Sequence, residues 1–381
     1  MRDGSYLCGL LDYIGYNLLF CCSFVSSIIS LEIELWKDNL KKIYEGVTKY
    51  ETFMNGELNM VYNKYWEFEG KITTLYNQKR YRDAINLLEH ASEYLPKQEF
   101  DKHSFEIMLS KAGFYCNEKM HEECINVISY LINEGFACDD DIFGAINLKE
   151  DIRYIELKNK NDLLLQKAKE KSKLKYAVHL PSNYGEEKRY PLFIGLHGDP
   201  GNIDEFSEYW KADEFLRKDF IFVYIQSSQL YRHNGFTWTT NSLISRNDIK
   251  ECYNLILQEY SIDEKCVVIG GFSGGAITAL DITFANIIPI KGFIAIGPDF
   301  PKSFTKDNVN LAANRGVRGI FMEGEVIIPL EEQEEMIKVF KEVNFPYEFY
   351  INKGIGHAIP QDLPDKLNKA LEFIYLRDGS F

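Results

Sequence analysis

The sequence predicts an α/β domain with a mostly parallel, doubly wound sheet, preceded by an all-helical, repeat-like region. Three observations lead there. Apolar runs of strand length recur in the C-terminal part: YAVHLP, PLFIGLHG, FIFVYIQS, KCVVIGG, KGFIAIG, RGIFMEG and YEFYIN. Amphipathic segments of helical period, such as SRNDIKECYNLILQEY and PLEEQEEMIKVFKEV, lie between many of them. Strand alternating with helix builds a parallel sheet, because each crossover returns to the same edge and covers a face. Upstream, from Leu31 on, the pattern is instead helical and polar, LEIELWKDNLKKIYEGVTKYETF. The chain therefore divides into an apolar N-terminal segment (1–35), a helical region (36–165) and the α/β domain (166–381).

Composition narrows the function classes. The chain has 381 residues, 45% of them apolar, enough for two cores. Its 24 Tyr and 26 Phe argue against long disordered stretches. A net charge of −14 with no dense basic cluster repels phosphates, so no nucleic-acid partner is expected. The eight cysteines include no C-x-x-C pair and no Cys/His cluster of zinc spacing, so neither a metal nor another cofactor is expected. In a chain this long the cysteines do not read as a disulfide framework. They fit a reducing, cytoplasmic compartment. The run Tyr13–Leu31 is uncharged and long enough to span a bilayer or serve as a signal peptide. Its flanks are weak, since Asp3 neutralises Arg2, and it carries Asn17 and several serines. Membrane anchoring or export through residues 13–31 stands as the alternative to a cytoplasmic chain.

Within the helical region, Ile72–Pro96 places Ala84, Leu88, Ala91 and Pro96 at helical offsets, with Tyr81 at the preceding turn. A small Ala lets two helices approach, Leu88 fills the groove and Pro96 stops the helix. The segment resembles a tetratricopeptide repeat. A weaker echo spans Ser110–Gly135, with Cys124, Ile128 and Leu131 at matching offsets but a longer period. A generic helical hairpin satisfies the same offsets. Such a region offers a surface for a protein partner. The charged stretch NKNDLLLQKAKEKSK then reads as an exposed helix or linker.

The chemistry concentrates in CVVIGGFSGGAITAL, Cys266–Leu280. CVVIG reads as a buried strand and AITALDITFA as a helix. Between them, Gly271-Phe272-Ser273-Gly274-Gly275 matches G-x-S-x-G. Two flanking glycines make room for a strained turn that presents the hydroxyl at the sheet's carboxyl edge. The following helix aims its N-terminus at developing negative charge. GGFSGGA has no lysine and cannot serve as a phosphate-binding Walker loop.

In this context the chain, from about Leu174 to Leu376, resembles the α/β-hydrolase family, in particular its esterase, phospholipase/carboxylesterase and prolyl-oligopeptidase-like members. The resemblance implies an oxyanion loop, then Ser, acid and His in chain order. His197-Gly198 in PLFIGLHGDPGN matches the start of the oxyanion loop. Backbone N–H groups of Gly198 and Asp199, with that of Gly274, would form the oxyanion hole. Asp199-Pro200 departs from the glycines common there, and Asp199 is expected to point outward onto the backbone of its own loop. His357 lies between the last strand and a terminal helix, the station of the family's general base. His90, His103 and His121 read as surface residues of the helical region. The acid is the departure: GIFMEGEVIIPLEEQEEM carries no Asp where the family has one. Glu325 is the first stand-in, with Asp299 and Glu323 as alternatives and no acid as the remaining possibility. Phe236 and Trp238 in HNGFTWTT read either as walls of a substrate pocket or as simple packing.

The resulting expectation is a serine hydrolase acting on a small-molecule carboxylic ester or thioester. A serine peptidase and a catalytically silent hydrolase fold that recruits a partner stand beside it.

Overall fold

In the computed structural model the described residues are 62–146, 152–325 and 330–375. The apolar run 13–31, the first part of the helical region and Pro329 lie outside them. From Tyr62 onward the chain forms one compact unit.

The unit begins with helices α1 (Tyr65–Asn77), α2 (Tyr81–Glu89), α3 (Ala91–Tyr94), α4 (Lys97–Lys102), α5 (Ser104–Asn117), α6 (His121–Asn133), α7 (Asp140–Ile146) and α8 (Ile152–Lys171). The α1–α2 and α5–α6 hairpins close in the same way. Each turn passes through one left-handed residue, Lys79 (φ 57°) or Lys119 (φ 61°), where glycine is more usual. The next N–H then reaches back five residues, Arg80 to Leu75 and Met120 to Tyr115. Ala84, Leu88, Ala91, Cys124, Ile128 and Leu131 are all buried, which helical spacing alone demands. The second helix is shorter than the sequence suggests. It breaks at His90, and Pro96 caps the start of α4 instead of stopping α2. Cys116 and Cys124 form a disulfide across the α5–α6 hairpin, with Cα atoms 5.9 Å apart. This corrects the expectation of reduced cysteines: the helical packing brings two of them within bonding distance.

The sheet region follows: β1 (Lys175–His179), β2 (Tyr190–Leu196), α9 (Ile203–Tyr209), α10 (Asp213–Leu216), β3 (Ile221–Gln226), β4 (Leu230–Arg232), β5 (Gly235–Phe236), α11 (Ser242–Glu259), β6 (Ile262–Phe272), α12 (Gly274–Phe284), β7 (Gly292–Ile296), α13 (Lys306–Asn314), β8 (Arg318–Gly324), α14 (Leu330–Glu342), β9 (Tyr347–Asn352) and α15 (Leu363–Tyr375). Seven strands form one sheet in the order β1-β3-β2-β6-β7-β8-β9, while β4 and β5 make a separate hairpin. Only β1 pairs antiparallel; every other pair in the sheet is parallel. The central strands are apolar throughout because both faces are covered. Ile249, Ala276, Val309 and Phe340 from α11 to α14 pack on one face. Phe206, Phe215, Leu371 and Ile374 from α9, α10 and α15 pack on the other. This is the α/β-hydrolase arrangement.

Helices and sheet are joined by specific contacts. The His233 N–H donates to Ala137 O at 2.7 Å, and Arg232 pairs with Asp139 at 3.3 Å. The fully buried Asn161 of α8 exchanges two hydrogen bonds with the backbone of Cys138, replacing the partner that a strand would supply. Among the described residues no helix is long and apolar enough to cross a membrane.

Candidate active site

The site forms where β2 and β6 end side by side. Gly271 and Gly275 permit the crowding. An added Cβ on Gly271 would lie 2.7 Å from Leu196 O, and one on Gly275 would lie 2.3 Å from His197 O. Between them Ser273 adopts φ 51°, ψ −120°. A non-glycine residue held there costs on the order of 1–3 kcal/mol and persists only when its surroundings impose it. Here the Ser273 N–H donates to Ile296 O at 2.9 Å, and Ser273 O accepts from the Ile277 N–H at 3.0 Å. Strand β7 and the first turn of α12 thus fix the elbow from both sides.

The second residue arrives from the far end of the chain. His357 Nε2 lies 2.8 Å from Ser273 Oγ. The imidazole packs on the Phe272 ring, centroids 4.8 Å apart, and against Gly297, where an added Cβ would meet its Nδ1 at 2.9 Å. This crowding lowers the His357 pKa below 6.5 by desolvation, although part of the ring stays open to solvent. Gly324 lets the loop approach, since a Cβ there would come within 2.0 Å of Gly356 O.

Glu325, the first of the candidate carboxylates, takes another partner. Glu325 accepts the Gly354 N–H at 3.0 Å, and its own N–H donates to Asn352 O at 3.0 Å. It braces the base of the histidine loop. Glu323 is pushed up to about 7, by burial first and by Asp299 second. Among the described residues no carboxylate hydrogen-bonds His357.

The loop after β2 is stitched in place. His197 is buried and its pKa falls to about 4 through desolvation, so the ring is neutral. Its Nδ1–H donates to Gly198 O at 2.7 Å, and its Nε2 accepts the Ser227 N–H at 3.3 Å. The Asp199–Pro200 peptide is cis. Asp199 does not bind its own loop, as the sequence suggests. Its carboxylate accepts the Trp238 N–H at 2.9 and 3.0 Å, the Thr239 N–H at 2.9 Å and the Thr239 hydroxyl at 2.7 Å. It also packs on Gly274, where a Cβ would lie 2.2 Å from Asp199 Cγ. Burial raises the Asp199 pKa despite these donors. Gly198 lies beside Phe272, and Gly274 opens α12.

Phe236 and Trp238 fall on the packing side of the choice left open above. Trp238 is fully buried, and its indole N–H donates to His197 O at 3.1 Å. Phe236 is buried and exchanges two 2.9 Å backbone hydrogen bonds with Gly201. Both support the loop after β2. His103 corrects another expectation: it is 3% exposed, because α9 packs over it. Among the described residues no group of His, Cys, Asp and Glu is spaced to hold a metal ion.

The phospholipase/carboxylesterase family model matches residues 239–377, from the loop before α11 through α15. No curated protein matches the sequence. Solved structures similar to the chain include a Bacillus cereus protein described as uncharacterized, 22% identical, with TM-score 0.44, over 83% of this chain and 100% of that one. A Bacillus cereus carboxylesterase is 15% identical with TM-score 0.42, over 55% of this chain and 98% of that one. An esterase of the Planctomycetes species Thermogutta terrifontis is also 15% identical with TM-score 0.42, over 54% of this chain and 90% of that one. With its sheet order, its strand–elbow–helix and this family match, the chain is an α/β-hydrolase-fold protein whose residues 239–377 match the phospholipase/carboxylesterase family.

Proposed function

We propose that the chain hydrolyses a small-molecule carboxylic ester or thioester through an acyl-enzyme on Ser273. The observation that carries this reading is the 2.8 Å hydrogen bond between His357 Nε2 and Ser273 Oγ, made at a strained elbow. The lowered His357 pKa keeps the imidazole neutral at neutral pH, so Nε2 accepts the serine proton as Oγ attacks the carbonyl carbon. The tetrahedral oxyanion takes the N–H of Gly274, at the positive end of α12, and an N–H of the Gly198–Asp199 turn. The imidazolium returns its proton to the leaving oxygen or sulfur. Water, deprotonated by the same imidazole, then attacks the acyl carbon and releases the acid. Among the described residues His357 has no bound carboxylate, so it works here as a Ser–His dyad whose histidine loop is braced by Glu325.

The test is turnover of p-nitrophenyl esters of increasing chain length by wild type, Ser273→Ala and His357→Gln. Each variant should lose at least ~10³-fold in kcat. Hydrolysis by folded Ser273→Ala at the wild-type rate would overturn the proposal.

A non-catalytic reading is favoured by one observation, the Asp199 carboxylate packed on Gly274, which opposes an oxyanion unless its donors neutralise it. That reading requires a folded wild type that turns over none of these esters.

A further inference from the structure

A pocket of ≈ 70 Å³ lies between the helical region and the sheet region, lined among others by Tyr65, Trp66, Tyr209, Pro200 and Gly235. Three carboxylates converge on it from separate elements: Glu69 on α1, Glu106 on α5 and Glu205 on α9. None forms an ion pair with a lysine or arginine among the described residues. The neighbouring Glu208 already takes Lys102 and Lys64. Arg232 also lines the pocket and attracts all three, but its ion pair is with Asp139 at 3.3 Å. Desolvation raises the Glu106 and Glu205 carboxyl groups, and Glu205 reaches about 7 with Glu106 and the more exposed Glu69 adding to the shift.

A second observation is independent of the acids. His103 lines the same pocket, is 3% exposed, and its buried Nδ1 has no hydrogen-bond partner; the nearest acidic atom, Glu205 Oε1, is 3.9 Å away. Tyr65 stacks on it with centroids 4.2 Å apart, which holds the ring in place. A buried nitrogen left unpaired is costly in an empty site and is satisfied when a donor arrives.

We propose that this pocket binds an organic ammonium group, its charge shared by Glu69, Glu106 and Glu205 and its N–H directed to His103 Nδ1. The aromatic walls suit a cation carried on carbon, because ring faces attract ammonium groups. The carboxylates are not spaced to hold a metal ion. The pocket also adjoins the site already described: Pro200 in its wall follows Asp199, whose carboxylate packs on Gly274. The ammonium group belongs either to the substrate itself or to a separate effector. Only the substrate version rests on the hydrolase reading.

The test is calorimetric titration of Ser273→Ala with phenethylammonium and with the neutral 2-phenylethanol, which needs no catalysis. The amine should bind at least about tenfold more tightly than the alcohol, and Glu106→Gln should remove that preference. Glu69→Gln, at an exposed position on α1, serves the same purpose should Glu106→Gln fail to fold. Equal affinity for amine and alcohol, or an unchanged preference in the folded variants, would overturn the proposal. Wild-type turnover of a cationic ester and its neutral isostere identifies the source. Faster turnover of the cationic ester, abolished in Glu106→Gln while the neutral ester is unaffected, assigns the ammonium to the substrate. Equal turnover beside intact amine binding assigns it to an effector.

Discussion

Ser273 holds a backbone conformation that an L-residue adopts only under constraint, and the constraint is local: one hydrogen bond to β7 and one from α12. Desolvation lowers the pKa of its partner His357. Protonation removes the base, so kcat/KM should fall at low pH with a midpoint below 6.5, the ordinary histidine value. A pH–rate profile centred above 6.5 would contradict that assignment. The carboxylates near the loop give a second prediction. An acid that orients the histidine is worth about 10⁴-fold when removed. Because Glu325 braces Gly354, and no carboxylate among the described residues bonds His357, Glu325→Gln, Glu323→Gln and Asp299→Asn should each cost less than ~10²-fold in kcat. A loss of ~10³-fold or more in any one would restore a triad. Ser273 and His357 are legible in the sequence because each sits in a short pattern, an elbow and a tail loop. The acid is not, because a hydrogen-bond partner depends on how β8 and the loop after β9 meet in space.

Glycines at element ends decide how closely the active loops approach. Gly324 ends β8 directly beneath Gly356 O. Gly324→Ala should push the histidine loop outward and cost roughly 10²-fold or more in kcat/KM, since displacements near 1 Å have that effect. The fold should persist, with a far-ultraviolet dichroism spectrum like that of wild type; unchanged activity would contradict the packing argument. The strands and most helices are readable from period alone. What escapes is pairing between distant elements. Trp238 reads equally well as a pocket wall or as core, and only its contacts with His197 and Asp199 make it a brace. His103 looks like a surface residue until α9, about 100 positions later, closes over it.

At the scale of the whole molecule, helices and sheet are one body. Asp139 grips Arg232, Phe136 and Phe105 enclose the His233 ring, and Ser172 donates to Ser228 O at 2.5 Å. Thermal unfolding should therefore show a single transition by both helix and tryptophan signals. A helical transition well below that of the tryptophans would show the two parts to be independent. The sequence places a boundary near residue 166, where the period changes; α8 runs through that position, and the interlock of helices and sheet rests on side chains that no periodicity marks.

The central claim is that Ser273 is an activated nucleophile, and the most direct test is labelling by a fluorophosphonate probe, followed by mass mapping of the modified residue. It requires no guess at the substrate. The account predicts rapid labelling of wild type at Ser273, absent in Ser273→Ala and greatly slowed in His357→Gln. A folded wild type that stays unlabelled, or that labels equally well without Ser273, would contradict it.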